Sequence, residues 1–199
     1  MNFYQIFLPI AALIYFVAVF VVRSWVLWKQ TGVNPFVFGK GDTAHDYIGR
    51  VLNFITLATW VSIIFYSFYP ESYHLLFPFS YLESDSIKMA GVMLLVLSIL
   101  WISVAEYQMA ASWRIGIDYN ETTELVSKGL FKISRNPVFL GVFISYIGMF
   151  LIMPNALSFA IMLLMVVSIQ IQVRLEEAYL ESVHEETYLK YKKKVRRWI

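Results

Sequence analysis

The chain has no cysteine among its 199 residues. That excludes disulfides, thiolate metal sites and cysteine nucleophiles, and it leaves the redox compartment open. Charge is also scarce. Charged residues make up 15% of the chain, against about 25% in soluble domains. With a net charge of only +2, a nucleic-acid partner is not expected. What fills the chain is apolar: 59% of the residues are hydrophobic and 18% aromatic. The class is an integral-membrane protein, and the length suits one compact bundle. No internal repeat or low-complexity tract is visible.

A spanning helix needs about 20 mostly apolar residues. Residues 3–22, 51–69 and 87–107 qualify. The first lacks a basic leader and a small-residue cleavage pattern, so it reads as a retained span. The apolar run 138–173 is too long for one span and is broken by Pro154-Asn155. The expected fold is therefore all-α: a bundle of about five transmembrane helices, the last two a tight hairpin. In that arrangement all 16 basic residues except Lys88 fall on one side. The positive-inside rule puts the N-terminus outside and the C-terminus in the cytoplasm. The tail "RLEEAYLESVHEETYLKYKKKVRRWI" places Leu175, Tyr179, Val183, Tyr191, Val195 and Trp198 near helical spacing. It reads as a cytoplasmic amphipathic helix, with Lys192, Lys193 and Lys194 meeting anionic lipid. Residues 1–86 then hold spans one and two with their loops. Residues 87–199 hold the functional region: spans three to five, a connector and the C-terminal helix.

In so apolar a bundle, ionisable residues are the informative ones. Glu106 sits near the end of span three, equally readable as functional or as a helix-end acid at the interface. Arg135-Asn136-Pro137 offers an N-cap, a proline for the first helical position and a cation. Free N–H groups there, with Arg135, would suit an anion. Alone, the motif is no more than an anchored helix start. Arg174, Glu176 and Glu177 stand where the last span meets the tail. Adjacent glutamates cannot share one helix face, so one can enter a site while the other meets water or a cation. All three groups fall at one depth, on spans three, four and five. The linker between them carries Gly129 and Phe131. Cations, acids and an aromatic wall together suit a zwitterionic, cationic cofactor with an aromatic ring.

The stretch "ELVSKGLFKISRNPVFLG" and the later "RLEEAYLESVHEETYLKYKKKV" resemble the isoprenylcysteine carboxyl methyltransferase and phospholipid methyltransferase superfamily. Its pattern runs G-x-[YF]-x-x-x-R-H-P-x-Y-x-G, then E-E, then Y-x-x-Y-x-x-x-V. Gly129, Phe131, Arg135, Pro137 and Gly141 match, as do Glu176, Glu177, Tyr188, Tyr191 and Val195. "SWRIGID", Ser112 to Asp118, looks like the tryptophan-containing segment before the pattern. The resemblance covers residues 90–197. Two positions depart: Asn136 replaces the histidine and Phe139 the tyrosine. Asn136 still hydrogen-bonds but cannot titrate.

The resemblance implies an S-adenosylmethionine-dependent methyltransferase with a lipidic or apolar acceptor from the membrane and no metal. It implies a cofactor pocket from Leu125, Val126, Gly129, Leu130, Phe131, Arg135, Asn136, Pro137, Phe139, Glu176 and Glu177. Arg135, Arg174 and Glu177 are the expected catalytic residues. A carboxylate acceptor wants a cation such as Arg174 or Arg135; an amine or thiol must lose a proton to a glutamate or water. Two other readings stay open: a sterol-reductase-like membrane reductase using a nicotinamide, and a non-catalytic membrane protein that keeps the fold.

Overall fold

The computed structural model describes residues 1–32, 42–114 and 124–199. Lys40 and the end of the "SWRIGID" segment lie outside the described residues. Helix α1 (Phe3–Phe16) opens on a capping box between Asn2 and Gln5. It passes through a wider π-helical stretch (Val17–Val22) into α2 (Arg23–Thr31), so the first apolar span runs on past its expected end. Gly32, at φ 70°, ends it in a left-handed conformation that glycine adopts without strain.

Helix α3 (Ala44–Phe68) starts earlier than its apolar core suggests. Thr43 and Asp46 form a reciprocal capping box, with Asp46 N donating to Thr43 Oγ1 at 3.1 Å. The helix stops before Pro70. Helix α4 (Asp85–Met109) is capped by Ser84, whose Oγ accepts from Ile87 N at 3.4 Å. Helix α5 (Pro137–Ile152) begins at the expected proline. The expected break at Pro154-Asn155 is present. Asn155 and Ser158 make the capping box that starts α6 (Ala156–Lys194).

Among the described residues, four helices are long and apolar enough to cross a membrane: Phe3–Lys29, Ala44–Phe68, Asp85–Met109 and Ala156–Lys194. The 16-residue α5 is a shorter apolar helix. At 1.5 Å per residue it reaches about 24 Å, against about 30 Å of hydrocarbon.

Close approach of α4 and α5 depends on glycines. A Cβ on Gly91 would lie 2.6 Å from Gly148 O, and one on Gly148 would lie 2.8 Å from Gly91 O. Small residues let backbones meet where apolar burial gives helices little reason to associate. The core joins both halves of the chain: Leu8, Ile55 and Ile63 pack with Met149, Met165 and Ile169.

The tail is helical but is not an independent surface helix. Helix α6 continues unbroken through Arg174 and turns sharply only at Glu185 (φ 42°, ψ −120°). That turn brings Tyr188 and Tyr191 inward, where they are 1% and 9% exposed. The reason is hydrogen bonding as much as burial. Tyr191 OH donates to Phe131 O at 2.6 Å, and Arg135 N donates to Arg196 O at 3.0 Å.

Candidate active site

Two neighbouring groups form at the end of the bundle where α4, α5 and the turn of α6 meet. The first is a closed ion-pair cluster built on Glu177. Gly129, at φ 60°, makes the bend that brings residues 129–132 under α4. Gln108 Oε1 accepts from Leu130 N there at 2.7 Å, and a Cβ on Gly129 would lie 2.3 Å from it. Arg135 then reaches across to α6. Its Nε donates to Glu177 Oε1 and its Nη2 to Glu177 Oε2, each at 3.1 Å. Asn136 Nδ2 donates to Glu177 Oε1 at 2.9 Å. Arg197 donates from Nη2 at 2.8 Å and from Nε at 3.1 Å to Glu177 Oε2.

Glu177 is 4% exposed, so these donors replace the water it has lost. The same carboxylate holds the Arg197 guanidinium above its ordinary pKa. The tail backbone closes the cluster. Arg135 Nη1 donates to Val195 O at 2.7 Å, and Ser134 Oγ donates to Arg197 O at 3.1 Å. Asn136 occupies the N-cap position of α5, yet its side chain makes no cap hydrogen bond. The amide is spent on Glu177 and on Arg197 O instead.

The second group lies inside the bundle. A cavity of about 240 Å³ runs between α1, α3, α4, α5 and α6. Its depth is apolar, with Leu8, Ile63, Leu95, Met149 and Met165. The end towards the connector is polar, with Glu106, Trp113, Arg114, Gln172 and Glu176. Leu95 and Glu106 both line it, and that separation along α4 corresponds to about 16 Å. Glu106 is 3% exposed, and its Oε1 accepts from Trp113 Nε1 at 3.2 Å. Arg23 stands over the Trp113 ring, 5.9 Å from its centroid, and donates to Ala110 O. Glu176 Oε1 accepts from Gln172 Nε2 at 2.7 Å. Gln172 Oε1 is buried, with His45 of α3 approaching the amide.

A profile of the phospholipid methyltransferase family matches residues 87–187. The chain belongs to the phospholipid methyltransferase family. No curated protein and no solved structure matches it. As a phospholipid methyltransferase family member with several apolar helices, it is a multi-pass membrane protein of methyltransferase type. The match begins at α4, so the family part supplies Glu106, the Glu177 cluster except Arg197, and one wall of the cavity. Residues of α1 and α3, outside the match, supply the opposite wall.

Of the residues singled out in the sequence, Arg135, Asn136 and Glu177 come together in the cluster. Phe139 and Glu176 line the cavity. Gly129, Leu130 and Phe131 support the cluster from below. Pro137 starts α5, and its carbonyl accepts from Trp101 Nε1 at 2.9 Å. Leu125 and Val126 are half-buried in the connector and do not line the cavity. Arg174 is not brought in. It is exposed, and its Nη1 donates to Gln170 O at 2.6 Å on its own helix. Sequence reasoning gave no site role to Gln172 or Arg197, and reached Trp113 only as part of the "SWRIGID" segment. Gln172, a polar residue inside an apolar run, carried the one usable signal.

Proposed function

We propose that the protein transfers a methyl group from S-adenosylmethionine to a lipidic acceptor at the polar end of this cavity. The carrying observation is the union of a deep apolar cavity with a buried glutamate, Glu106, a half-buried one, Glu176, and a buried amide, Gln172, at one end. The residues there fit the cofactor's chemistry. Glu176 and Gln172 Oε1 are acceptors suited to its ammonium group. Arg114 suits its carboxylate, and Trp113 and Phe139 give aromatic walls beside a sulfonium. When bound, S-adenosylmethionine supplies a methyl carbon activated by the adjacent sulfonium.

The chain's own part is alignment and exclusion of water. Side chains of α1, Tyr15 and Phe16 among them, close the cavity on the side opposite α5. The apolar depth would take the acceptor's hydrocarbon. In this reading residues 87–199 carry the reaction, and residues 1–86 complete the cavity wall. Arg135 and Glu177 act as positioning residues: they fix α5 to α6 and so aim Glu176 inward. Arg174 has no role in the reaction. The basic end, including the site, faces the cytoplasm, in keeping with the positive-inside rule.

The test is incubation of the purified protein with radiolabelled S-adenosylmethionine and total membrane lipids, followed by identification of the labelled product. A labelled lipid is the expected outcome. No transfer, with protection against heat by a nicotinamide cofactor in place of S-adenosylhomocysteine, would move the protein to the reductase reading.

A further inference from the structure

The reading above leaves Glu106 without a task. It lines the cavity on α4, and its one hydrogen bond among the described residues comes from Trp113 Nε1 at 3.2 Å. Its situation differs from that of the other two glutamates. Glu177 is saturated by Arg135, Asn136 and Arg197, and Glu176 is held by Gln172. No ion pair joins Glu106 among the described residues. A buried carboxyl with so few partners is costly in an apolar bundle and marks function by default. A second observation points the same way. Gln172 is 1% exposed and lines the same cavity, where its Nε2 donates to Glu176 and His45 of α3 approaches its amide. Glu106, buried beside this amide with acceptor capacity to spare, calls for a ligand that brings hydrogen.

We propose that Glu106 receives the proton released by the methyl acceptor, so that the acceptor carries its reactive hydrogen on nitrogen or sulfur. This rests on the methyltransferase reading. The acceptor's N–H or S–H bond breaks and the proton passes to a Glu106 carboxylate oxygen. The freed electron pair bonds the methyl carbon, and the S–CH3 bond of the sulfonium breaks with its electrons returning to sulfur. Charge balances, since a cationic sulfonium and a carboxylate become a neutral thioether and a carboxylic acid. A carboxylate acceptor has no such proton and would leave Glu106 idle. The other ionisable groups around this end are Tyr15 of α1, Arg23 of α2, Tyr146 of α5, Glu176 of α6 and Arg114 beyond α4. From α3 the cavity receives Asn53 and Thr56, which do not titrate, and His45 of the same helix lies buried against Gln172.

The experiment compares wild type, Glu106→Gln and Glu106→Asp. Binding of S-adenosylhomocysteine is followed by calorimetry, and methyl transfer to phosphatidylethanolamine vesicles and to a total lipid extract is followed across pH. Glu106→Gln is expected to bind within about twofold of wild type while losing about 100-fold or more in transfer, the usual scale of general-base catalysis. It also loses the fall in rate on the acidic side of the profile, which Glu106→Asp retains. Trp113→Phe, which removes the hydrogen bond and keeps a ring, moves that acidic limb without abolishing transfer. Wild-type transfer by Glu106→Gln, or an unchanged acidic limb, overturns the role of Glu106 alone. A wild-type protein that binds no S-adenosylhomocysteine overturns the methyltransferase reading instead. Binding without transfer to any lipid overturns the proton-acceptor role.

Discussion

Glu176 and Glu177 are neighbours in sequence and occupy different environments. Glu176 lines the cavity with Gln172 as its donor, while Glu177 is closed inside a cluster of Arg135, Asn136 and Arg197. One step along a helix turns a side chain by about 100°, and the structure uses that rotation to divide an acid pair between a site and its frame.

The division makes opposite mutational signatures. Glu177→Gln leaves the buried Arg135 guanidinium and the half-buried Arg197 without their carboxylate. It should destabilise the protein by about 3–5 kcal/mol, the usual result of breaking a buried pair from one side. Glu176→Gln should stay within about 1 kcal/mol of wild type and instead lose cofactor affinity. Denaturant unfolding in detergent, read beside ligand binding, separates the two.

Gly129→Ala meets two obstacles. The backbone is left-handed at φ 60°, and the new Cβ falls 2.3 Å from Gln108 Oε1. A loss of about 1–3 kcal/mol is expected from the strained backbone alone. Adding Gln108→Ala should recover only the steric share. A double-mutant cycle in thermal unfolding measures that share as the coupling energy.

Gly148→Val places branched carbon where α4 backbone already lies 2.8 Å away. Helices α4 and α5 must separate, at a cost of at least about 1–3 kcal/mol. The change should also widen the neighbouring cavity, so cofactor affinity falls with stability. Gly32→Ala serves as a control: its position is left-handed, but nothing among the described residues lies within 4 Å, so the backbone cost dominates.

Asn136→His restores the histidine of the motif that this stretch resembles. The new imidazole stands where Asn136 Nδ2 now donates to Glu177 Oε1 at 2.9 Å. That carboxylate is already shared by Arg135 and Arg197, so burial and two neighbouring guanidiniums hold a histidine there below its unfolded value of about 6.5. The variant is therefore unaffected by this ionisation above about pH 6.5 and loses stability as pH falls below it. Wild type, with an amide there, lacks this term. Thermal unfolding of both proteins from pH 5 to pH 9 shows the difference.

Much of the fold was legible because it rests on apolar length and punctuation. Pro154-Asn155 marked the hairpin, and Pro137 the start of α5. The start of α3 was missed because Thr43 and Asp46 cap it well before the apolar run begins. Part of the candidate site was legible, but not its partition. The motif named Arg135, Asn136, Glu176 and Glu177, yet which glutamate enters the cavity depends on the rotation of α6. The inward turn at Glu185 was invisible, since Glu185 is an ordinary helical residue in the pattern. That turn delivers Arg197 and uses Arg135, which had been expected to stay open for an anion. Arg174 had the right charge on the wrong face, where it bonds Gln170.

The most direct measurement is calorimetric titration of wild type and Glu176→Gln with S-adenosylhomocysteine in detergent. The expected result is saturable binding by wild type and at least tenfold weaker binding by Glu176→Gln, with both proteins melting at the same temperature. That tenfold step corresponds to about 1.4 kcal/mol. Absence of binding by wild type, or equal binding by both, would contradict a cofactor site at the Glu176 end of the cavity.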